Sequence, residues 1–78
     1  MKVVITYCNS WSYRPQALRV RDEITSVYKD AVVELVPGGG SGDFLVEVDG
    51  RKLFFNKDFA KPRFPSEGEI LNLIKVAA

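Results

Sequence analysis

The chain has no histidine, and it has only one cysteine, one methionine and one tryptophan among its 78 residues. Without histidine there can be no Cys-His or Ser-His nucleophilic pair and no histidine-based zinc site. A single cysteine excludes any disulfide within the chain, so a disulfide-stapled scaffold is ruled out and a reducing, cytoplasmic setting is expected. Neither sign of charge is in excess: 11 basic residues face 10 acidic ones, for a net charge of +1. A dedicated nucleic-acid surface or a polybasic membrane binder would show a strong basic surplus, so neither nucleic acid nor membrane is expected as a partner. Residues 1–7 are too short for a signal peptide, and no apolar run approaches the roughly 20 residues a membrane span requires. Internal repeats and domain linkers are also missing, and residues 1–78 read as one small domain. A chain this short buries only about 60% of its unfolded surface, so its stability is modest and a monomer or weak homodimer is expected.

The residues that are present fall into six segments. Residues 2–7, Lys-Val-Val-Ile-Thr-Tyr, are β-branched and aromatic and predict a strand. Their near-continuous apolar character suggests burial on both faces, as in the middle of an α/β sheet. After a loop at 8–13, Ala17, Val20, Ile24 and Val27 recur at helical spacing with Leu18 and Tyr28 beside them. They predict an amphipathic helix over about 14–29, with Ser12 as N-cap and Pro15 in the first turn. Residues 31–36 read as a second strand, ended by Pro37, and Gly38–Gly42 as a flexible connection. That glycine loop lacks a Gly-Lys-Ser/Thr ending and runs into a strand, which excludes a phosphate loop. Residues 43–48 and 51–56 form a hairpin around Asp49-Gly50. A last helix starts near Ser66, where Glu69 completes a capping-box spacing. The order β-α-β-β-β-α predicts an α/β, thioredoxin-like fold: one four-stranded mixed sheet with two helices, strands one and two parallel.

The stretch Tyr7-Cys8-Asn9-Ser10-Trp11-Ser12-Tyr13-Arg14-Pro15 holds the lone cysteine between the end of the first strand and the start of the first helix. Unpaired amides and partial positive charge at a helix N-terminus favour thiolate over thiol, so Cys8 is the candidate reactive atom. Ser10 and Ser12 offer hydroxyls beside it. Buried lone cysteines are commonly inert small hydrophobes, which is the plain alternative. Tyr7 and Tyr13 read as packing residues. Arg14, Lys61 and Arg63 are candidates for a small basic rim near the thiol, although a solvated surface is the commoner fate of such charges. Asp43, Glu47 and Asp49 form no metal-loop pattern.

These residues resemble the selenoprotein W/T/H-related family, the Rdx proteins, and in particular bacterial or archaeal selenoprotein W-like members. The likeness rests on Tyr7-Cys8, on Tyr13-Arg14-Pro15, on the glycine loop at 38–42, on Phe44-x-Val46-x-Val48-x-Gly50 and on Arg63-Phe64-Pro65, in that order along nearly the whole chain. In this family Cys-x-x-Cys or Cys-x-x-selenocysteine follows the first strand. The resemblance thus implies a redox role for Cys8, with Asn9 and Ser10 shaping the loop and Tyr7, Ser12, Tyr13, Arg14, Pro15 and Arg63 around it. The chain departs from the family at Trp11, which stands where the second redox residue belongs. A second thiol resolves the mixed disulfide formed by the first, and tryptophan cannot do so. Three readings stay open: a monothiol protein resolved by glutathione or a partner thiol, a redox-inactive binding module that uses the Tyr7–Pro15 loop with Trp11 as anchor, or a UGA selenocysteine codon standing one base from the tryptophan codon. The expectation is a small thiol-redox protein acting through Cys8, with thiol-disulfide exchange as its activity if it is an enzyme. Its partners are a disulfide-bearing protein or glutathione, and no metal or bound cofactor is expected.

Overall fold

The computed structural model describes residues 1–10 and 12–77. It contains β1 (Lys2–Tyr7), α1 (Tyr13–Val27), β2 (Val32–Pro37), β3 (Phe44–Val48), β4 (Arg51–Phe55), the 3-10 turn η1 (Asn56–Asp58) and α2 (Glu69–Ala77). The strands form one sheet in the order β2-β1-β3-β4. β1 is parallel to β2 and antiparallel to β3, and β3 is antiparallel to β4. This is the expected β-α-β-β-β-α, thioredoxin-like α/β order with a mixed sheet.

Both helices cover one face of the sheet. Ala17, Val20 and Ile24 of α1 and Ile70 and Ile74 of α2 join Val3, Ile5, Tyr7, Phe44, Val46 and Phe54 in a single buried cluster. Burial along β1 therefore alternates: Val3, Ile5 and Tyr7 are enclosed, while Val4 and Thr6 are half-buried. This corrects the expectation of a strand buried on both faces. An apolar run shows that one face is buried, but both faces are covered only if helices lie on both sides.

Three further expectations are adjusted. α1 stops at Val27 rather than at 29: Tyr28 leaves helical geometry (φ −103°, ψ 88°) while its N–H still bonds to the Ile24 carbonyl. Val27, counted above on the apolar face, is 57% exposed. α2 starts at Glu69, later than Ser66. Gly68 has φ +77°, a left-handed conformation that cannot be part of a right-handed helix, so the turn is completed before the helix begins. Half of the anticipated capping box is nonetheless formed, with the Ser66 N–H donating to Glu69 Oε1 at 2.8 Å. No helix among the described residues is long and apolar enough to cross a membrane.

Candidate functional site

Three segments meet at the end of β1. Tyr7, the last residue of the strand, is buried, and its carbonyl accepts the N–H groups of Gly38 (3.0 Å) and Gly39 (3.2 Å). Cys8 follows. Its backbone N–H donates to the Asp43 carbonyl at 2.9 Å, so the strand end is tied on both sides to the 38–43 loop. Asn9 and Ser10 then form an exposed bend, and Tyr13 opens α1 with its N–H on the Ser10 carbonyl at 3.0 Å. Ser12 occupies the N-cap position, but its own backbone is already helical (φ −84°, ψ −7°) and its side chain makes no capping bond. The expected N-cap is therefore one of position only.

The Cys8 thiol is half-buried and free. Its Sγ lies 3.2 Å from Ser10 Oγ. That hydroxyl, followed by the N–H of Gly42 and the N–H of Ser10, holds the thiol below its ordinary pKa. Each of these donors is worth more to an anion than to a neutral thiol. The Asp43 carboxylate acts in the opposite direction through its charge. Lys57 Nζ stands 2.7 Å from Asp43 Oδ1 and also donates to the Ser41 carbonyl, so that charge is partly neutralised. The donors at Cys8 thus come from Ser10 and the 42 position, not from the first amides of α1 as the sequence suggested. The Tyr13 N–H, the first of them, is spent on Ser10.

The other anticipated residues are placed as follows. Arg14 reaches back along the helix start to donate from Nη1 to Tyr7 Oη at 3.3 Å, which fastens the first turn of α1 to the end of β1. Tyr13 Oη donates to the Gly42 carbonyl at 3.4 Å, and its ring packs edge-on against Phe64, with centroids 5.0 Å apart. Pro15 is exposed on the first turn of α1, and Lys61 is exposed on the connection before α2. Arg63 is engaged elsewhere: it pairs in bidentate fashion with Glu69 at 2.7 and 2.9 Å, and its guanidinium lies 4.4 Å from the centre of the Phe59 ring. Trp11, on which the second redox position and the anchor reading both depend, lies outside the described residues.

The sequence sets the Gly38–Gly42 loop beside the Cys8 loop as a flexible connection but assigns no role to Gly42, and it does not mark Asp43, Asn56 or Lys57 as part of the site. Gly42 has φ +74°, and a Cβ there would meet Tyr13 Oη at 3.4 Å, so a glycine is what the backbone demands beside the thiol. Asn56 is buried at the end of β4. An asparagine ending the apolar run Leu53-Phe54-Phe55 was the one signal that could have drawn notice to it. Among the described residues no cluster of three or more His, Cys, Asp or Glu side chains is placed to hold a metal.

Comparison with known proteins agrees with this picture. The sequence pattern of the Rdx family matches residues 2–76. A protein of Bordetella parapertussis, known from a crystal structure, is similar in fold with a TM-score of 0.83. At 24% identity the alignment covers 99% of this chain and 96% of that one. No curated protein matches the chain.

Proposed function

The chain belongs to the Rdx family, and on that premise we propose that it is a small thiol-redox protein that works through Cys8 alone. The observation that carries this reading is a half-buried thiol with Ser10 Oγ 3.2 Å from Sγ, and the Ser10 and Gly42 amides lower its pKa in the same direction. A buried, inert cysteine has no use for polar surroundings that lower its pKa, whereas a thiolate at the end of a strand does. The Cys8 thiolate attacks one sulfur of a disulfide, forms a mixed disulfide and releases the other sulfur as thiolate. A second, external thiolate, glutathione or that of a partner protein, then attacks the mixed disulfide at the partner's sulfur and frees Cys8. The chain's lack of a second cysteine makes this monothiol route the one available to it. Such chemistry suits a reducing compartment, which is why we place the protein in the cytoplasm.

The test is the pH dependence of Cys8 alkylation in the folded protein, followed by mass analysis after exposure to oxidised glutathione. The expected outcome is a midpoint clearly below the free-cysteine value of about 8.5, together with a single glutathione adduct that is absent in Cys8→Ser. A thiol modified only after denaturation would overturn the proposal.

A further inference from the structure

Among the described residues, Asn56 is the one polar side chain buried with the core. It opens η1, directly after β4, and both ends of its amide are used. Oδ1 accepts the Phe44 N–H at 2.9 Å, and Nδ2 donates to the Gly42 carbonyl at 2.7 Å. The Phe44 N–H and the Asp43 carbonyl belong to the same peptide unit. No cis bond occurs among the described residues, so in that trans unit the two groups point in opposite directions. One side of this peptide is held by Asn56, and the other accepts the Cys8 N–H at 2.9 Å. The preceding peptide, which carries the Gly42 carbonyl, is held by the same side chain. An unbroken relay therefore runs from a buried amide, through the Asp43–Phe44 peptide plane, to the backbone of the cysteine.

We infer that Asn56 is a positioning residue of the Cys8 site: it fixes the Gly42–Phe44 backbone so that the Asp43 carbonyl holds the Cys8 backbone and, with it, the thiol. The inference rests on the thiol reading proposed above and adds to it the group that governs the thiol's surroundings from the far side of the 42–44 segment. The geometry explains why a polar side chain is enclosed there. A buried amide is costly unless satisfied, and an apolar residue at position 56 would leave the Gly42 carbonyl and the Phe44 N–H without these partners. Without the Asn56 bond the Gly42 carbonyl keeps, among the described residues, only the longer Tyr13 contact, and Gly42 at φ +74° is free to turn. Rigidity at the loop thus depends on a residue that never touches the sulfur.

The experiment pairs alkylation of Cys8 across pH with amide NMR spectra recorded over the same range. In the wild-type protein the Gly42 amide and the Asn56 side-chain amide are expected to shift with the midpoint found by alkylation, and both shifts vanish in Cys8→Ser. In Asn56→Ala the midpoint is expected to rise, and the alkylation rate at neutral pH to fall about three- to tenfold, as for a weakened hydrogen bond to a charged group. A folded Asn56→Ala that loses thermal stability but keeps the wild-type midpoint and rate overturns the inference, because it makes Asn56 a structural clamp only. If that variant does not fold, the wild-type spectra decide: resonances of Gly42 and Asn56 that stay flat across an activated Cys8 midpoint overturn the inference alone. A wild-type thiol titrating at the ordinary cysteine value removes the thiol reading and this inference with it.

Discussion

At the scale of single residues, the proposed chemistry depends on the polar groups that surround one sulfur atom. The Ser10 hydroxyl is the largest of the influences lowering the Cys8 pKa. In Ser10→Ala that donor is lost while the Ser10 and Gly42 amides remain. The midpoint of Cys8 alkylation is therefore expected to move up toward the ordinary value without reaching it, and the rate at neutral pH to fall several-fold. Ser10 is exposed, so the urea midpoint should stay within the small range typical of surface changes, about 0.5 kcal/mol. A Ser10→Ala protein with an unchanged alkylation profile would show that the hydroxyl lies near the thiol without acting on it. Half of this site could be read in the sequence. A cysteine between a strand and a helix, with serines beside it, announces itself through local spacing. Gly42 and Asn56 did not, because they reach Cys8 only through pairing of β1 with β3 and of β3 with β4. A side chain whose two partners are backbone groups leaves no motif of its own.

At the scale of elements, the entry to α2 is held by charge. Arg63 lies over Phe59 and Phe54 and grips Glu69 in bidentate fashion, while Glu69 also accepts the Ser66 N–H at the start of the helix. The Arg63 hydrogen bonds hold the Glu69 pKa down to about 2 from 4.5. A carboxyl whose folded pKa is depressed stabilises the fold above its unfolded pKa and loses that contribution as the pH falls. The urea midpoint is therefore expected to drop between about pH 4.5 and pH 2 in the wild type and more gently in Glu69→Gln. At neutral pH that variant should be less stable by about 1 kcal/mol, the usual size of a lost hydrogen-bonded partner. Identical acid profiles for the two proteins would mean that the pair adds nothing to stability. The elements themselves were legible because their signals are local: β-branched residues in β1, apolar spacing in α1, and Asp49-Gly50 in the hairpin. Their limits were less so. The Ser66–Glu69 spacing suggested a helix start, yet the left-handed Gly68 between them delays it, and a capping pattern does not disclose the conformation of the residues it encloses. Val27 continued the apolar spacing of α1 but lies in the last turn of the helix, where it is left exposed.

At the scale of the whole molecule, one aromatic chain joins the thiol end to the core. Phe44 is fully enclosed and packs edge-on against Phe54 and Phe64, with centroids 6.4 and 5.5 Å apart, and Phe64 in turn meets Tyr13. Phe44→Ala is expected to cost about 3–5 kcal/mol. Folded chains typically hold roughly 0.05–0.15 kcal/mol per residue, so a loss of that size should remove a large share of this short chain's stability and pull its urea midpoint down sharply. Phe44→Leu, which keeps most of the volume, should stay folded with a lower urea midpoint. A Phe44→Ala protein with the wild-type midpoint would place the core elsewhere.

The order in which a ribosome delivers these parts gives the Gly42–Asn56 arrangement a further meaning. Cys8 and its neighbour Ser10 emerge well before the Asp43 carbonyl that holds the Cys8 backbone and before Asn56, which holds that carbonyl's peptide. Throughout synthesis of the intervening segments the thiol has only the local part of its surroundings. On the reading proposed above, full activation waits for the hairpin to dock, so a chain cut before Asn56 carries the cysteine without its complete surroundings.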